Sequence, residues 1–184
     1  ALGLPLGAAL AGGLVFTLAP YRVAQSTGHL LGPISMLLPL ALYGVERRRG
    51  LLTVAALASI PLSGQVHLAL GAIPFVLAYA WARGRWKMGA VAAAAGVAAG
   101  VAVWALTLDD AVDRPFSEVE RYSASLGDFV SRDPGIFERF VYLGWLTPVA
   151  AVAGLVLVRR RRRLAAVLGL GALVPCLLAL GSNL

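Results

Sequence analysis

Few residues in this sequence are equipped for chemistry, and most of them sit at the ends of long apolar runs. The densest set is Pro20-Tyr21-Arg22-Val23-Ala24-Gln25-Ser26-Thr27-Gly28-His29. On a helix, Arg22, Gln25, Ser26 and His29 share one face by the i, i+3, i+4, i+7 rule. Such a face can hold a phosphate, with the guanidinium fork donating to the anion while Gln25 and His29 orient neighbouring oxygens. The alternative is that Tyr21 and Arg22 anchor the chain at a membrane interface and His29 merely starts a helix. Gln65 and His67 form a second polar set, which either faces the same outward cavity as His29 or joins helices by hydrogen bonds. Asp109, Asp110 and Asp113 are clustered carboxylates of the kind used as a base or for a divalent cation, and solvated loop acids have the same pattern. No metal or cofactor is assigned to them. Phosphate-cradling glycine loops, Ser-His-Asp sets and metal-ligand spacings are absent from the sequence, which excludes the soluble enzyme classes built on them. Cys176 is the single cysteine, so an internal disulfide is excluded too.

The elements that must position these residues are apolar. Of the 184 residues, 59% are apolar and 14% charged, and the mean hydropathy is +0.81, beyond what a water-soluble domain of this size carries. Crossing a hydrocarbon core of ~30 Å takes ~20 residues. By that measure the sequence predicts an all-α polytopic bundle of about seven membrane helices, near 1–19, 29–45, 51–63, 66–82, 88–107, 140–158 and 164–181. These form one transmembrane domain over 1–184, with a hydrophilic external loop over 108–139.

The net charge of +7 is unevenly placed. Arg47-Arg48-Arg49, then Arg83, Arg85 and Lys87, then Arg159 to Arg163 hold most of the basic residues, and the segments between them hold most of the acidic ones. The positive-inside rule puts loops 46–50, 83–87 and 159–163 in the cytoplasm and the others outside, in a multi-pass protein of the cell membrane. A nucleic-acid partner is not expected, because short arginine runs beside apolar helices are explained by topology and by the anionic lipid of the bilayer.

Three local readings follow. The run over 51–63 is short, and Pro61, Ser63, Gly64 and Gln65 interrupt 51–82, so this stretch is either two short tilted spans or a re-entrant hairpin. A repeat offset by 38 residues relates His29-Leu30-Leu31-Gly32 to His67-Leu68-Ala69-Leu70-Gly71. In the external loop, Ser117 and Glu120 fit a capping box, and the helix after it puts Phe116, Val119, Tyr122, Leu126, Phe129 and Val130 near one face, as in an interfacial helix. Asp133-Pro134-Gly135 then marks a turn before an aromatic belt of Phe137, Phe140, Tyr142 and Trp145. The start at Ala1-Leu2-Gly3, without Met or a basic flank, reads as the interior of a longer protein.

Phe16-Thr17-Leu18-Ala19-Pro20-Tyr21-Arg22, Gln25, Gly28-His29-Leu30 and Leu38-Pro39-Leu40 resemble a stretch of the large bacterial membrane proteins of the YfhO-like group, relatives of the GT-C glycosyltransferases. The similarity continues through Arg121-Tyr122-Ser123 with Asp128-Phe129, through Tyr142-Leu143-Gly144-Trp145, and to Leu180-Gly181-Ser182-Asn183. The resemblance implies a transferase that moves a sugar from a polyprenyl-phosphate donor to an acceptor on the external face. It makes Arg22 and His29 contacts of the donor phosphate or the acceptor, and helix 116–130 part of the frame of the site. The family's catalytic acid, an Asp or Glu of an earlier external loop, has no counterpart here. Two other classes stay open: a transporter or flippase, favoured by the repeat and the broken helices, and a non-catalytic assembly protein of the membrane.

Overall fold

The structure is a computed structural model that describes residues 6–19, 31–107, 115–131, 146–158 and 161–183. All regular structure among the described residues is helical. In chain order the elements are α1 (Leu6–Thr17), α2 (Leu31–Ile34), α3 (Leu37–Glu46), α4 (Gly50–Leu62), α5 (Val66–Ala82), α6 (Trp86–Leu106), α7 (Phe116–Tyr122), α8 (Leu146–Val158) and α9 (Arg162–Leu180). Short 3-10 turns follow at Leu126–Phe129 and Gly181–Asn183. The contacts divide the chain into two compact units, one carrying α2 to α6 and the other α1 and α7 to α9.

Helix boundaries follow the apolar runs closely, and the departures have local causes. The run expected over 29–45 is broken at Ser35-Met36, between α2 and α3. Pro39 explains the break, since it has no N–H for the Ser35 carbonyl four residues earlier and its ring crowds that carbonyl. Met36 N donates instead to Pro33 O at 3.0 Å, and Ser35 Oγ to Gly32 O at 2.7 Å. The stretch 51–82 is two helices joined by Ser63-Gly64-Gln65, and Gly64 takes the left-handed φ of +81° that the turn needs.

In the first unit α4 packs on α6 and on α3, and α5 packs on α6. Small side chains make the close approaches. A Cβ placed on Gly89 of α6 would lie 2.5 Å from Ala80 Cβ and 3.5 Å from the Leu77 backbone of α5. One on Gly96 would meet Ile73 at 3.1 Å and Leu57 at 3.5 Å. Around these contacts Leu57, Ile60, Val76, Ala80 and Ala92 are fully buried. Packing of small residues is how helices associate in lipid, where burying apolar area brings no gain over contact with acyl chains. Gly89→Val therefore pushes α5 and α6 apart and is expected to cost about 1–3 kcal/mol, the range for overpacking a tight core. Unfolding in detergent checks this, and a variant as stable as the parent would refute the close approach.

Among the described residues two helices, α6 and α9, are long and apolar enough to cross a membrane by length and composition. Of their most apolar 18-residue windows, only 22% and 11% of residues are buried within the protein. A core helix of a water-soluble protein would be buried on most of its surface.

Candidate functional site

The most constructed polar cluster among the described residues lies where α3 and α5 end together. Glu46, the last residue of α3, accepts from Arg83 Nε at 2.6 Å and Arg83 Nη2 at 2.9 Å, a two-pronged ion pair, and from the Tyr79 hydroxyl at 2.8 Å. Arg85 stands 4.0 Å from the same carboxylate and donates to the Val45 carbonyl. The Glu46 side chain is 9% exposed. Burial alone would raise its pKa, but the hydrogen bonds from Arg83 and Tyr79 and the charges of Arg83 and Arg85 hold it below the ordinary carboxylate range.

Turn geometry explains how the arginines arrive there. Both helices end in Schellman motifs: Arg48 N and Arg49 N donate to Val45 O and Gly44 O after α3, and Gly84 N and Arg85 N donate to Trp81 O and Ala80 O after α5. Such a motif needs one residue at positive φ. Gly84 supplies it after α5, at +69°, but after α3 it is Arg48, at +56°. A left-handed backbone costs a residue with a Cβ about 1–2 kcal/mol.

Of the candidate contacts singled out from sequence, Gln65 and His67 lie among the described residues. Gln65 is half-buried at the turn before α5 and His67 is exposed in its first turn. They sit at the opposite end of α5 from Tyr79 and Arg83. Arg22, Gln25 and His29 lie outside the described residues, as do Asp109, Asp110 and Asp113 and the belt of Phe137, Phe140, Tyr142 and Trp145. No group of three metal-ligating side chains occurs among the described residues. By sequence Glu46 reads as one acid in a basic loop, and what distinguishes it there is that it is the only acid between residues 31 and 107.

A second constructed contact lies in the other unit. The single helix expected over 116–130 is instead α7, an irregular stretch at Ser123-Ala124-Ser125, and a 3-10 turn. The capping box is at Ser125 and Asp128 rather than Ser117 and Glu120: the Asp128 carboxylate accepts from Ser125 N at 2.7 Å and Ser125 Oγ at 3.0 Å. The helix is interrupted because its backbone bonds elsewhere. Ala124 N donates to Ala179 O at 2.8 Å, and Asn183 Nδ2 donates to Ala124 O at 3.1 Å. Gly181, at φ +49° and ψ −116°, lets the chain turn directly under Ser123, whose hydroxyl a Cβ at position 181 would strike. Gly181→Ala is accordingly expected to cost about 1–3 kcal/mol from backbone strain. It should raise proteolytic cleavage near residues 123–131, and unchanged protection there would count against the docking.

No family model matches the chain, and no curated protein or solved structure matches it. The resemblance to the YfhO-like group therefore stands on its motifs alone.

Proposed function

We propose that this chain is a multi-pass membrane protein of about seven spans that belongs to a lipid-linked sugar transferase, moving a sugar from a polyprenyl-phosphate donor to an acceptor at the external face of the cell membrane. The observation that carries the transferase reading is the docking of Ser123-Ala124-Ser125 on residues 179–183. These are two separate stretches of the family resemblance, and charge alternation puts both on the external side. A frame of that kind, built from an external loop and the outer end of a span, suits a donor whose phosphate sits at the interface. In this reading Arg22, Gln25 and His29 contact the donor phosphate or the acceptor.

The membrane reading has its own support in α6. Trp86 and Trp104 are 56% and 61% exposed, near its two ends. Eighteen residues apart, they are separated by about 27 Å along the axis, close to the ~30 Å hydrocarbon thickness between the two interfaces where tryptophan collects. Between them Val91, Val97 and Val101 are exposed as well, a surface suited to acyl chains.

The test uses the full-length protein in sealed vesicles with a labelled polyprenyl-phosphate sugar. Transfer of label to an external acceptor supports the proposal. Movement of the intact donor across the bilayer without transfer would replace it with the flippase reading. Reporter tags at residues 50 and 85 should both be cytoplasmic, and finding either outside would overturn the orientation.

A further inference from the structure

The six basic residues of the first unit all lie at one end, and the structure divides them into two groups. Arg83 and Arg85 are half-buried around Glu46, which fixes them between α3 and α5. Arg47, Arg48, Arg49 and Lys87 are exposed, and Glu46 is the only acid among residues 31–107. Exposed aromatic side chains lie among them, with Arg47 over the Tyr43 ring at 5.6 Å and Lys87 over the Trp86 ring at 5.9 Å. Arg48 adds a second kind of observation. It occupies the left-handed position that the turns after α4 and α5 give to Gly64 and Gly84, a backbone conformation that costs a residue with a Cβ.

We infer that Arg47, Arg48, Arg49 and Lys87 form a binding surface for the headgroups of anionic phospholipids, with Arg48 retained at a strained turn for its charge and not for the fold. This rests on the membrane reading above and refines it. Charge complementarity selects the occupant. An excess of exposed guanidinium and ammonium groups, level with interfacial aromatic rings, meets the phosphates of an anionic leaflet, where each cation adds to attraction within a Debye length. Glu46 keeps the remaining two arginines out of that surface by holding them in the helix interface.

The experiment uses the full chain reconstituted in nanodiscs of phosphatidylcholine alone, or of phosphatidylcholine with phosphatidylglycerol, and compares retained phosphatidylglycerol and melting temperature. The parent protein is expected to retain phosphatidylglycerol selectively and to melt higher in the mixed lipid. Arg48→Gly should melt higher than the parent in pure phosphatidylcholine, because the turn is relieved, yet bind phosphatidylglycerol about fivefold more weakly. These opposite signs separate a lipid contact from a structural role. Replacing all four with Gln should abolish the preference, whereas Arg83→Gln should lower stability in both lipids and keep it. An Arg48→Gly variant with unchanged phosphatidylglycerol affinity overturns the proposal, as does a parent that prefers an acidic peptide to the lipid. A carbonate wash distinguishes the two levels of failure. A chain that stays in the membrane without lipid preference refutes only this site, and a chain that washes off refutes the membrane reading itself.

Discussion

Glu46→Ala is expected to destabilise the protein by about 3 kcal/mol, the lower end of the range for removing one partner of a buried ion pair. The substitution leaves Arg83 and Arg85 half-buried without their carboxylate and deprives the Tyr79 hydroxyl of its acceptor. Most of the loss is the desolvation of the stranded cations, so Arg83→Ala added to Glu46→Ala should cost less than the two changes summed. Denaturant titration in detergent measures both variants, and a Glu46→Ala protein within 0.5 kcal/mol of the parent would sink the idea, being indistinguishable from an ordinary surface change (about ±0.5 kcal/mol).

The same carboxylate sets an acid limit. Its folded-state pKa is lowered, first against burial and then through Arg83, Tyr79 and Arg85. The stability it contributes is therefore complete above its unfolded value of about 4.3 and is lost as pH falls through the lower folded-state value. The parent should lose stability on acidification in that window, and the loss should be smaller in Glu46→Ala. If the two pH profiles coincide, Glu46 is not the titrating group.

On the proposed transferase reading, Arg22→Ala is expected to lower sugar transfer by the full-length protein roughly 100-fold while leaving insertion and expression unchanged. Removing a charged donor from an anion forfeits about 1.5–3 kcal/mol, and a developing phosphate charge at the interface has few alternative donors in this sequence. Arg22→Lys should recover only part of the activity, since an ammonium cannot reproduce the two-pronged geometry of the guanidinium. Turnover equal to the parent in Arg22→Ala would remove Arg22 from the site and leave His29 and Gln25 without their organising charge.

How much was legible in the sequence differs between the two units. In the first, hydropathy places α4, α5 and α6 within two residues of their ends, because a helix in an apolar run needs no partner to satisfy its backbone. The break at Ser35-Met36 was also written there, in Pro39, but a continuous apolar count passes over it. In the second, the helix expected across 116–130 fails at Ser123-Ala124-Ser125, where the competing partners are Ala179 and Asn183, more than fifty residues away. Local periodicity carries no information about such partners.

The candidate site divides in the same way. Charge patterning alone groups loops 46–50 and 83–87 on one side, and the structure brings Glu46 and Arg83 together at one end of the helices. Sequence alone treats Arg83, Arg85 and Arg47 to Arg49 as equivalent topological charges, since hydropathy and net charge are sums that do not depend on which residue faces which. Only the tertiary structure, by setting the rotation and register of α5 against α3, turns two arginines inward onto one carboxylate and leaves Arg47, Arg48, Arg49 and Lys87 facing outward. Helical identity was determined locally by backbone hydrogen bonding and apolar length. The partnering of charges was decided at distance, where the ends of α3 and α5 bring Glu46 and Arg83 together across 37 residues of sequence.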